Sequence, residues 1–303
     1  TGAPVCAALD WQPAAMAPGG RWQATLRRVP AGGLYRLETR FNPDGNLAGE
    51  WSTRGDMRHF LGVGDLWLIA GQSTSAGYGR GPAYDPPELG VHLFRNSECW
   101  ALATHPLNES TDTAHPANRE EANPGHSPYL HFGRLLKREL GHPIGLVQTA
   151  LGGSPLSAWN PTEPGEAVLF HNMMHIVRRA GGRVRVILWY QGEADADGGP
   201  LSATYGERFE RAVAAWRSAL GDPRLPVLTV QLNRYYTPAT PELERGWAEL
   251  REAQRQVPRR LAGVAVVPAL DLGLSDLIHN SPAANLILGE RLARAALGLA
   301  YGR

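Results

Sequence analysis

The chain has 303 residues with a formal net charge of +1; 43% of its residues are hydrophobic and 19% are charged. This composition is ordinary for a globular protein, and the small net charge gives no indication of nucleic acid or an anionic membrane as a partner. No run of about 18 apolar residues is present, so we expect no transmembrane helix. Because the chain begins at Thr1 and not at Met, we expect a processed extracellular or periplasmic protein whose signal peptide has been removed.

Cys6 and Cys99 are the only cysteines, and no CxxC or Cys/His cluster indicates a zinc site. The sequence predicts neither a metal nor another cofactor. It leaves open whether the two cysteines form a disulfide and how many chains assemble.

Residues 1–60 are predicted to form a small antiparallel β element, separate from a larger domain over residues 61–303. Apolar and polar residues alternate along residues 21–27 and 33–41, and a period of two is typical of half-buried strands. Turn-forming residues lie between and after these segments, at 30–33 and 42–45.

From Gly64 onward, short apolar runs alternate with stretches of helical periodicity. Strands are predicted at 66–70, 143–149, 183–190, 226–232 and 264–270, and helices at 130–140, 167–179, 205–220, 247–256 and 284–297. Five strands separated by helices predict an α/β fold, with a parallel sheet covered on both faces. Residues 77–125 show no clear periodicity, and irregular segments of this length are often functional loops.

Ser73 follows the first predicted strand, in the segment Gly71-Gln72-Ser73. Open α/β sheets carry their chemistry at the carboxyl ends of their strands, and turns there offer backbone N–H groups to an oxyanion. A serine in this position is either a nucleophile or only the cap of the helix that follows. This segment alone leaves both interpretations open.

A histidine and a carboxylate lie together after the last predicted strand. A serine hydroxyl needs a base, usually a histidine that a carboxylate holds in one tautomer. Asp276 precedes His279 by three residues, a spacing that puts both side chains on one side of a turn. An Asp-x-x-His segment also arises by chance, so an ordinary surface loop is the alternative.

Two further strand ends carry candidate groups. The amide of Gln191 is a candidate oxyanion donor, and Glu193 is predicted to be a structural carboxylate that accepts backbone N–H bonds. Gly152 and Gly153 offer N–H groups to an oxyanion or simply form a turn. Together, four loops at one sheet edge supply a nucleophile, a base, an orienting carboxylate and oxyanion donors, the set expected of an acyl-transfer site.

In these four segments the chain resembles the SGNH hydrolases, and within them the sialate O-acetylesterase-like carbohydrate esterases. The matching segments are Gly71-Gln72-Ser73, Gly152-Gly153 followed by Trp159, Trp189-Tyr190-Gln191-Gly192-Glu193, and Asp276 with His279. The resemblance covers about residues 60–300 and is specific in combination.

The resemblance implies a three-layer α/β/α sandwich with a central five-stranded parallel sheet, and a catalytic domain over residues 61–303. Ser73 would be the nucleophile, His279 the general base and Asp276 the residue that orients the base. The implied oxyanion hole consists of Ser73, Gly152, Gly153 and Gln191, with Gln72 and Glu193 in support. Candidate sugar contacts are Trp159, Tyr78 and His126. The implied activity is a serine esterase that removes O-acetyl groups from carbohydrates.

The chain departs from the family pattern at two places, and two alternative functions remain open. Thr74 and Ser75 stand where the family has Asn-Met, a position that bears on substrate choice, and Asn280-Ser281 separates His279 from Pro282. One alternative is an esterase acting on acetylxylan, another polysaccharide or an aryl acetate. The other, from a different class, is a non-catalytic carbohydrate-binding protein on the same fold. The polar character of residues 77–125 favours a sugar over a lipid.

Overall fold

The computed structural model describes residues 4–41, 54–237 and 239–303. The chain divides after Gly64 into two compact units, the second of which is Asp65–Arg303. Within the described residues, no helix has both the length and the apolar content that crossing a bilayer requires. Cys6 and Cys99 are exposed free thiols.

The first unit contains the antiparallel strands expected there. β1 (Ala15–Met16) pairs with β2 (Trp22–Gln23), and β3 (Gly32–Arg40) pairs with β4 (Arg54–Val63). The alternating residues 33–41 form β3, whereas the strand expected at 21–27 is confined to the two residues of β2. β4 extends past residue 60, where the sequence placed the boundary. The turn expected at 42–45 lies outside the described residues.

The second unit is built on one sheet. Its strands are β5 (Asp65–Gly71), β6 (Val91–Phe94), β7 (Trp100–Leu102), β8 (Ile144–Gln148), β9 (Val186–Tyr190), β10 (Val227–Gln231) and β11 (Val264–Pro268). They lie in the order β11-β10-β9-β5-β8-β6-β7, and only the β6–β7 pair is antiparallel. All five predicted parallel strands are therefore present and adjacent.

The sheet has two strands more than the sequence predicted. β6 and β7 come from the irregular segment 77–125 and extend the edge beyond β8. They are four and three residues long, too short to display an alternating pattern.

Helices cover both faces of this sheet and complete a three-layer sandwich. They are α1 (Ser73–Ala76), α2 (Tyr129–Leu140), α3 (Val168–Ala180), α4 (Pro200–Ala203), α5 (Tyr205–Ala219), α6 (Pro241–Arg260) and α7 (Pro282–Tyr301). α2 packs against α7, and α5 packs against α6. β8 and β9 are buried along their whole length, as expected of parallel strands covered on two faces.

The end of β5 approaches the end of β9 very closely. Gly71 has φ of +123°, and a Cβ atom at this position would overlap the carbonyl oxygen of Tyr190. Glycine is therefore required both by the backbone conformation and by the space. This contact fixes where the chain turns immediately before Ser73.

Candidate active site

The structure brings Ser73, His279 and Asp276 into one chain of hydrogen bonds. The Oγ atom of Ser73 lies 2.9 Å from Nε2 of His279, and Nδ1 of His279 lies 2.8 Å from Oδ2 of Asp276. If Nδ1 donates its hydrogen to the carboxylate, Nε2 is left to accept the serine proton. The arrangement matches a nucleophile, a general base and a residue that orients the base.

Ser73 does not cap the helix that it begins. It is the first residue of α1, where Gln72 holds the N-cap position, and its hydroxyl is bonded to His279 instead. Oε1 of Gln72 accepts hydrogen bonds from the N–H groups of Gly192, at 3.3 Å, and Ala194, at 3.1 Å. The side chain of Gln72 thus links the turn at Ser73 to the loop after β9, which is consistent with the supporting role expected of it.

Asp276 is held in place by the backbone around it. Its Oδ1 accepts hydrogen bonds from the N–H groups of Ile278, at 3.0 Å, and His279, at 2.8 Å. Burial acts to raise the pKa of Asp276, but these N–H groups and the imidazole hold that pKa below its ordinary value. The carboxylate is therefore ionised at neutral pH and fixed in the direction of Nδ1.

The residues that follow His279 have structural functions. Oδ1 of Asn280 accepts a hydrogen bond of 2.7 Å from Asn233, and Ser281 caps α7 by accepting from the N–H of Ala284. These bonds explain why two residues separate His279 from Pro282 without disturbing the hydrogen bonds to Ser73 and Asp276.

Tyr78 lies against the imidazole of His279. The two rings are stacked, with centroids 5.1 Å apart and planes at 30°. The hydroxyl of Tyr78 donates a hydrogen bond of 2.5 Å to Oε1 of Glu120. Burial raises the pKa of Tyr78 well above its ordinary value, and the carboxylate of Glu120 raises this pKa further. The sequence placed Tyr78 among the sugar contacts, and the structure places it beside the base.

The N–H of Gly152, expected to face an oxyanion, is already bonded. It donates to Oε1 of Glu120 at 3.0 Å. Within the part of the chain that the structure describes, the N–H groups of Ser73 and Gly153 have no acceptor. Two of the expected oxyanion donors are therefore free, whereas Gly152 shares the carboxylate with Tyr78. Glu120 was not anticipated, because it lies in the irregular segment and belongs to no motif.

The prediction that the Gln191 side chain donates to an oxyanion is wrong for this arrangement. Gln191 is fully buried, and its Nε2 donates to Ser154 O at 3.3 Å and to Asp195 Oδ2 at 2.6 Å. Its Oε1 accepts from the hydroxyl of Tyr205 at 2.9 Å. Both amide hydrogens have protein acceptors, so none is left for substrate.

Gln191 belongs to a buried polar network. Oδ1 of Asp195 lies 2.7 Å from Nη1 of Arg208, and Nη2 of Arg208 lies 2.8 Å from Oε2 of Glu163. A buried charge is costly unless it is paired and hydrogen-bonded, and here each one is. The network therefore holds the loop after β9 in place.

Trp159 is a core residue and not a sugar contact. Its ring has no exposed surface, packs edge-on against Trp189 at 5.5 Å and donates through Nε1 to Ser154 Oγ at 3.0 Å. The prediction of a substrate contact fails because a short 3-10 helix, Leu156–Trp159, turns the ring inward.

Glu193, the second supporting residue, is a buried carboxyl group. Burial raises the pKa of Glu193 to about 7, although the Thr74 hydroxyl and nearby backbone N–H groups act in the opposite direction. Thr74 and Ser75 are also buried, and the Ser75 hydroxyl donates to the carbonyl oxygen of Ala70 at 2.8 Å. The departures from the family pattern after Ser73 are thus buried side chains.

A cleft of about 1170 Å³ opens beside these groups. Among the residues that line it are Tyr78, Arg80, Glu120, Glu121 and His126. The ring of His126 is only 7% exposed, and burial lowers its pKa to about 4. His126 therefore forms part of the wall, but little of it is accessible to a sugar.

Known proteins show related sequences and folds. Residues 63–298 match the family described as carbohydrate esterase, sialic acid-specific acetylesterase. A probable carbohydrate esterase of Arabidopsis thaliana is 30% identical over 257 residues, which are 77% of this chain and 90% of that protein. The X-ray structure of the Arabidopsis protein gives a TM-score of 0.65 at 26% identity, over 77% of this chain and 97% of that one.

A carbohydrate acetylesterase from Xanthomonas citri has a similar fold. Its structure gives a TM-score of 0.60 at 24% identity, over 82% of this chain and 59% of that one. At this level of identity the likeness establishes the fold alone.

Proposed function

The chain belongs to the carbohydrate esterase family of sialic acid-specific acetylesterases, and from this premise we propose that it removes O-acetyl groups from carbohydrates through an acyl-enzyme on Ser73. It is a carboxylic ester hydrolase, so the alternative of a non-catalytic carbohydrate-binding protein is set aside. The observation that carries the proposal is the pair of hydrogen bonds, 2.9 and 2.8 Å long, that joins Ser73, His279 and Asp276.

The reaction begins with attack of Ser73 Oγ on the acetyl carbonyl carbon, while the serine proton passes to Nε2 of His279. The tetrahedral intermediate collapses, the C–O bond to the sugar breaks, and His279 returns the proton to the departing sugar oxygen. Water then attacks the acetyl-serine with His279 again as base, and acetate leaves. Asp276 stabilises the imidazolium ion in both halves of the reaction without itself being protonated.

The oxyanion is bound by the backbone N–H groups of Ser73 and Gly153. Both lack an acceptor among the described residues, and each follows a strand of the sheet at the same edge. Preorganised N–H groups of this kind typically contribute about 100- to 1,000-fold in rate for each donor. Gly152 contributes by anchoring Glu120, not by donating to the intermediate.

The charges in the cleft bear on whether the substrate is an anionic or a neutral sugar. A sialic acid carries a carboxylate and needs a cation, and Arg80, whose side chain is 73% exposed, is a guanidinium on the cleft wall. Glu120 and Glu121 line the same cleft and repel an anionic sugar. A second candidate is therefore the acetyl ester of a neutral polysaccharide such as xylan, and the two carboxylates favour it.

The acyl-enzyme is tested by labelling with a serine-directed phosphonate that is detected by mass spectrometry. The label should appear on the peptide that contains Ser73 and should be absent from the Ser73→Ala variant, which should also lose acetate release. Ser110→Ala is the matched control, because Ser110 is a buried serine of the irregular segment. Labelling of Ser73→Ala at wild-type level would refute the proposed nucleophile.

The substrate is tested by measuring acetate release from O-acetylated sialosides, acetylated xylan and acetylated monosaccharides. A sialate esterase should prefer the sialosides, and Arg80→Gln should raise KM for the sialosides more than KM for neutral esters. Because Nε of Arg80 also lies 3.8 Å from Oδ2 of Asp276, the variant is judged by this difference between substrates and not by its activity relative to the wild type. An esterase of neutral sugars should prefer xylan or monosaccharides and should respond to Arg80→Gln equally with all substrates. No acetate from any member of the panel would contradict the proposed function.

A further inference from the structure

Three side chains from separate parts of the cleft wall converge outside the catalytic triad. Oδ2 of Asp85 lies 3.0 Å from Nε2 of His105 and 3.6 Å from Nε2 of His126. Each of the three offers a ligand atom within 4.8 Å of the other two. We propose that Asp85, His105 and His126 bind a divalent transition metal ion, with zinc as the best match. The proposal does not depend on the esterase assignment.

The separations suit a metal of the size of zinc. Bonds of about 2.0–2.1 Å in a tetrahedron place neighbouring ligand atoms roughly 3.3 Å apart. The two separations from Oδ2 of Asp85, 3.0 and 3.6 Å, lie on either side of that value. The rings of His105 and His126 are stacked with centroids 4.0 Å apart, so they must splay for both Nε2 lone pairs to face the ion. Two imidazoles and one carboxylate are a common ligand set for zinc and leave a fourth position for water.

Unpartnered ring nitrogens in this cluster point to a missing ligand. His126 is 93% buried, being 7% exposed, yet neither of its ring nitrogens has a hydrogen-bond partner among the residues that the structure describes. The separation of 3.6 Å between its Nε2 and Asp85 is too long for a hydrogen bond. A buried polar group without a partner is unfavourable, and a metal bound at Nε2 removes the cost at that atom.

A hydrogen bond from Arg134 orients the carboxylate of Asp85. Its Oδ1 accepts a hydrogen bond of 2.8 Å from Nη1 of Arg134, which leaves Oδ2 facing the two histidines. Nε of Arg134 donates in turn to Glu88 at 3.2 Å, so that the guanidinium charge is shared between two carboxylates. Carboxylates that bind metals are usually held by hydrogen bonds of this kind.

The ion would join three stretches of the chain. Asp85 lies before β6, His105 follows β7, and His126 directly precedes the entry to α2. All three line the cleft that contains Tyr78 and Glu120. The metal therefore stabilises the wall that receives the sugar, and it takes no part in the attack on the ester.

A second group of potential ligands provides a comparison. Glu98, His115 and His175 also lie close together, but His175 is 48% exposed and Arg179 donates to the other oxygen of Glu98 at 2.7 Å. A simpler pair, His142 and Asp65, has the same 3.0 Å separation as His105 and Asp85, without a second histidine. These two sites distinguish the proposed site from general histidine binding.

The test is cobalt and zinc binding by the full chain. Protein stripped with a chelator is incubated with Co²⁺ or Zn²⁺ and desalted, and bound metal is measured by mass spectrometry together with the visible absorption of Co²⁺. We expect about one retained equivalent and a cobalt spectrum typical of tetrahedral or five-coordinate sites. His126→Phe, which keeps the ring stacked on His105, should lose both signals. His142→Gln and His175→Gln should keep them.

Stability without metal separates loss of binding from loss of fold. His126→Phe removes two unpartnered nitrogens, so in chelator its melting temperature should equal or exceed that of the wild type, and zinc should no longer raise it. His105→Gln serves in its place if His126→Phe does not fold. Retention of metal by the variant at the wild-type level, loss of metal on His175→Gln alone, or no retention by the wild type would each overturn the proposal.

Discussion

Oγ of Ser73 and Nε2 of His279 lie 2.9 Å apart, although 206 positions separate the two residues in the chain. The first stands at the end of β5 and the second in the loop between β11 and α7, at the same edge of the sheet. The parallel order of the strands creates this proximity, because the loop that follows each parallel strand lies at that edge. The fold thus assembles the site, and each local segment supplies only one of its groups.

Asp276→Asn should lower kcat for p-nitrophenyl acetate by roughly 1,000- to 10,000-fold, because an amide does not hold the imidazole in the required tautomer or stabilise its charged form. The fold should persist, since the amide oxygen still accepts the N–H groups of Ile278 and His279. Asp271→Asn is the control, because this residue lies earlier in the same loop and pairs with Arg291 on the surface. A loss of less than tenfold in Asp276→Asn would contradict the proposed role.

Gln191→Ala should lower the free energy of unfolding by roughly 2–4 kcal/mol, because Asp195 and Tyr205 lose a buried hydrogen-bond partner. The measurement is urea unfolding followed by circular dichroism. Gln256→Ala is the control, since this amide bonds to Glu252 and Arg259 at the surface of α6. If Gln191→Ala instead kept its stability and lost more than 100-fold in turnover, the amide would have to act on the substrate after all.

Glu193→Gln should change how stability depends on pH. The pKa of Glu193 is about 7 in the folded protein and ordinarily 4.5, so between these values the folded state binds more protons than the unfolded state. Wild-type stability should therefore fall as pH rises from about 4.5 to 7 and level off above that, by up to about 3 kcal/mol. The variant should lack this decline. Parallel curves for the two proteins in urea unfolding at several pH values would refute the assignment.

Tyr78→Phe and Tyr78→Ala should separate two functions of one side chain. The phenyl ring keeps the stack on His279 and loses only the hydrogen bond to Glu120, so kcat/KM should stay within about tenfold of the wild type. Alanine removes the support of the imidazole, and small displacements of a catalytic group can be worth about 100-fold in rate. We expect the alanine variant to be at least tenfold slower than the phenylalanine variant; equal rates would show that the stack has no influence.

The sequence predicted correctly those strands whose hydrophobic pattern reflects how they pack in the fold. β8 and β9 are continuous apolar runs because helices cover them on two faces. Ser73 was found because it follows the apolar run of β5, and His279 because it stands with Asp276 in the loop after the last predicted strand. β6 and β7 were missed because three or four residues at an edge carry no usable period. Trp159 was wrongly predicted to contact the sugar, because an aromatic residue near a strand end can turn toward the core or toward solvent.

Side-chain partners could not be read from the chain. Gln191 stands in the motif where an oxyanion donor is expected, but its hydrogens are taken by Asp195 and a carbonyl group. Asp85, His105 and His126 are spaced by about twenty residues and match no ligand motif. Their meeting depends on how an irregular segment packs, which local patterns do not encode.

The turn before the nucleophile and the wall of the cleft differ in how freely they can mutate. At Gly71 any side chain collides with the backbone of Tyr190, so random substitution there removes activity whatever the substrate. Ala83, Glu121 and Ala122 have exposed side chains that line the cleft, and the hydrogen bonds that join Ser73, His279 and Asp276 involve none of them. Laboratory selection for new acetylated sugars should therefore accumulate changes along the wall and leave position 71 as glycine, so that specificity evolves without rebuilding the chemistry.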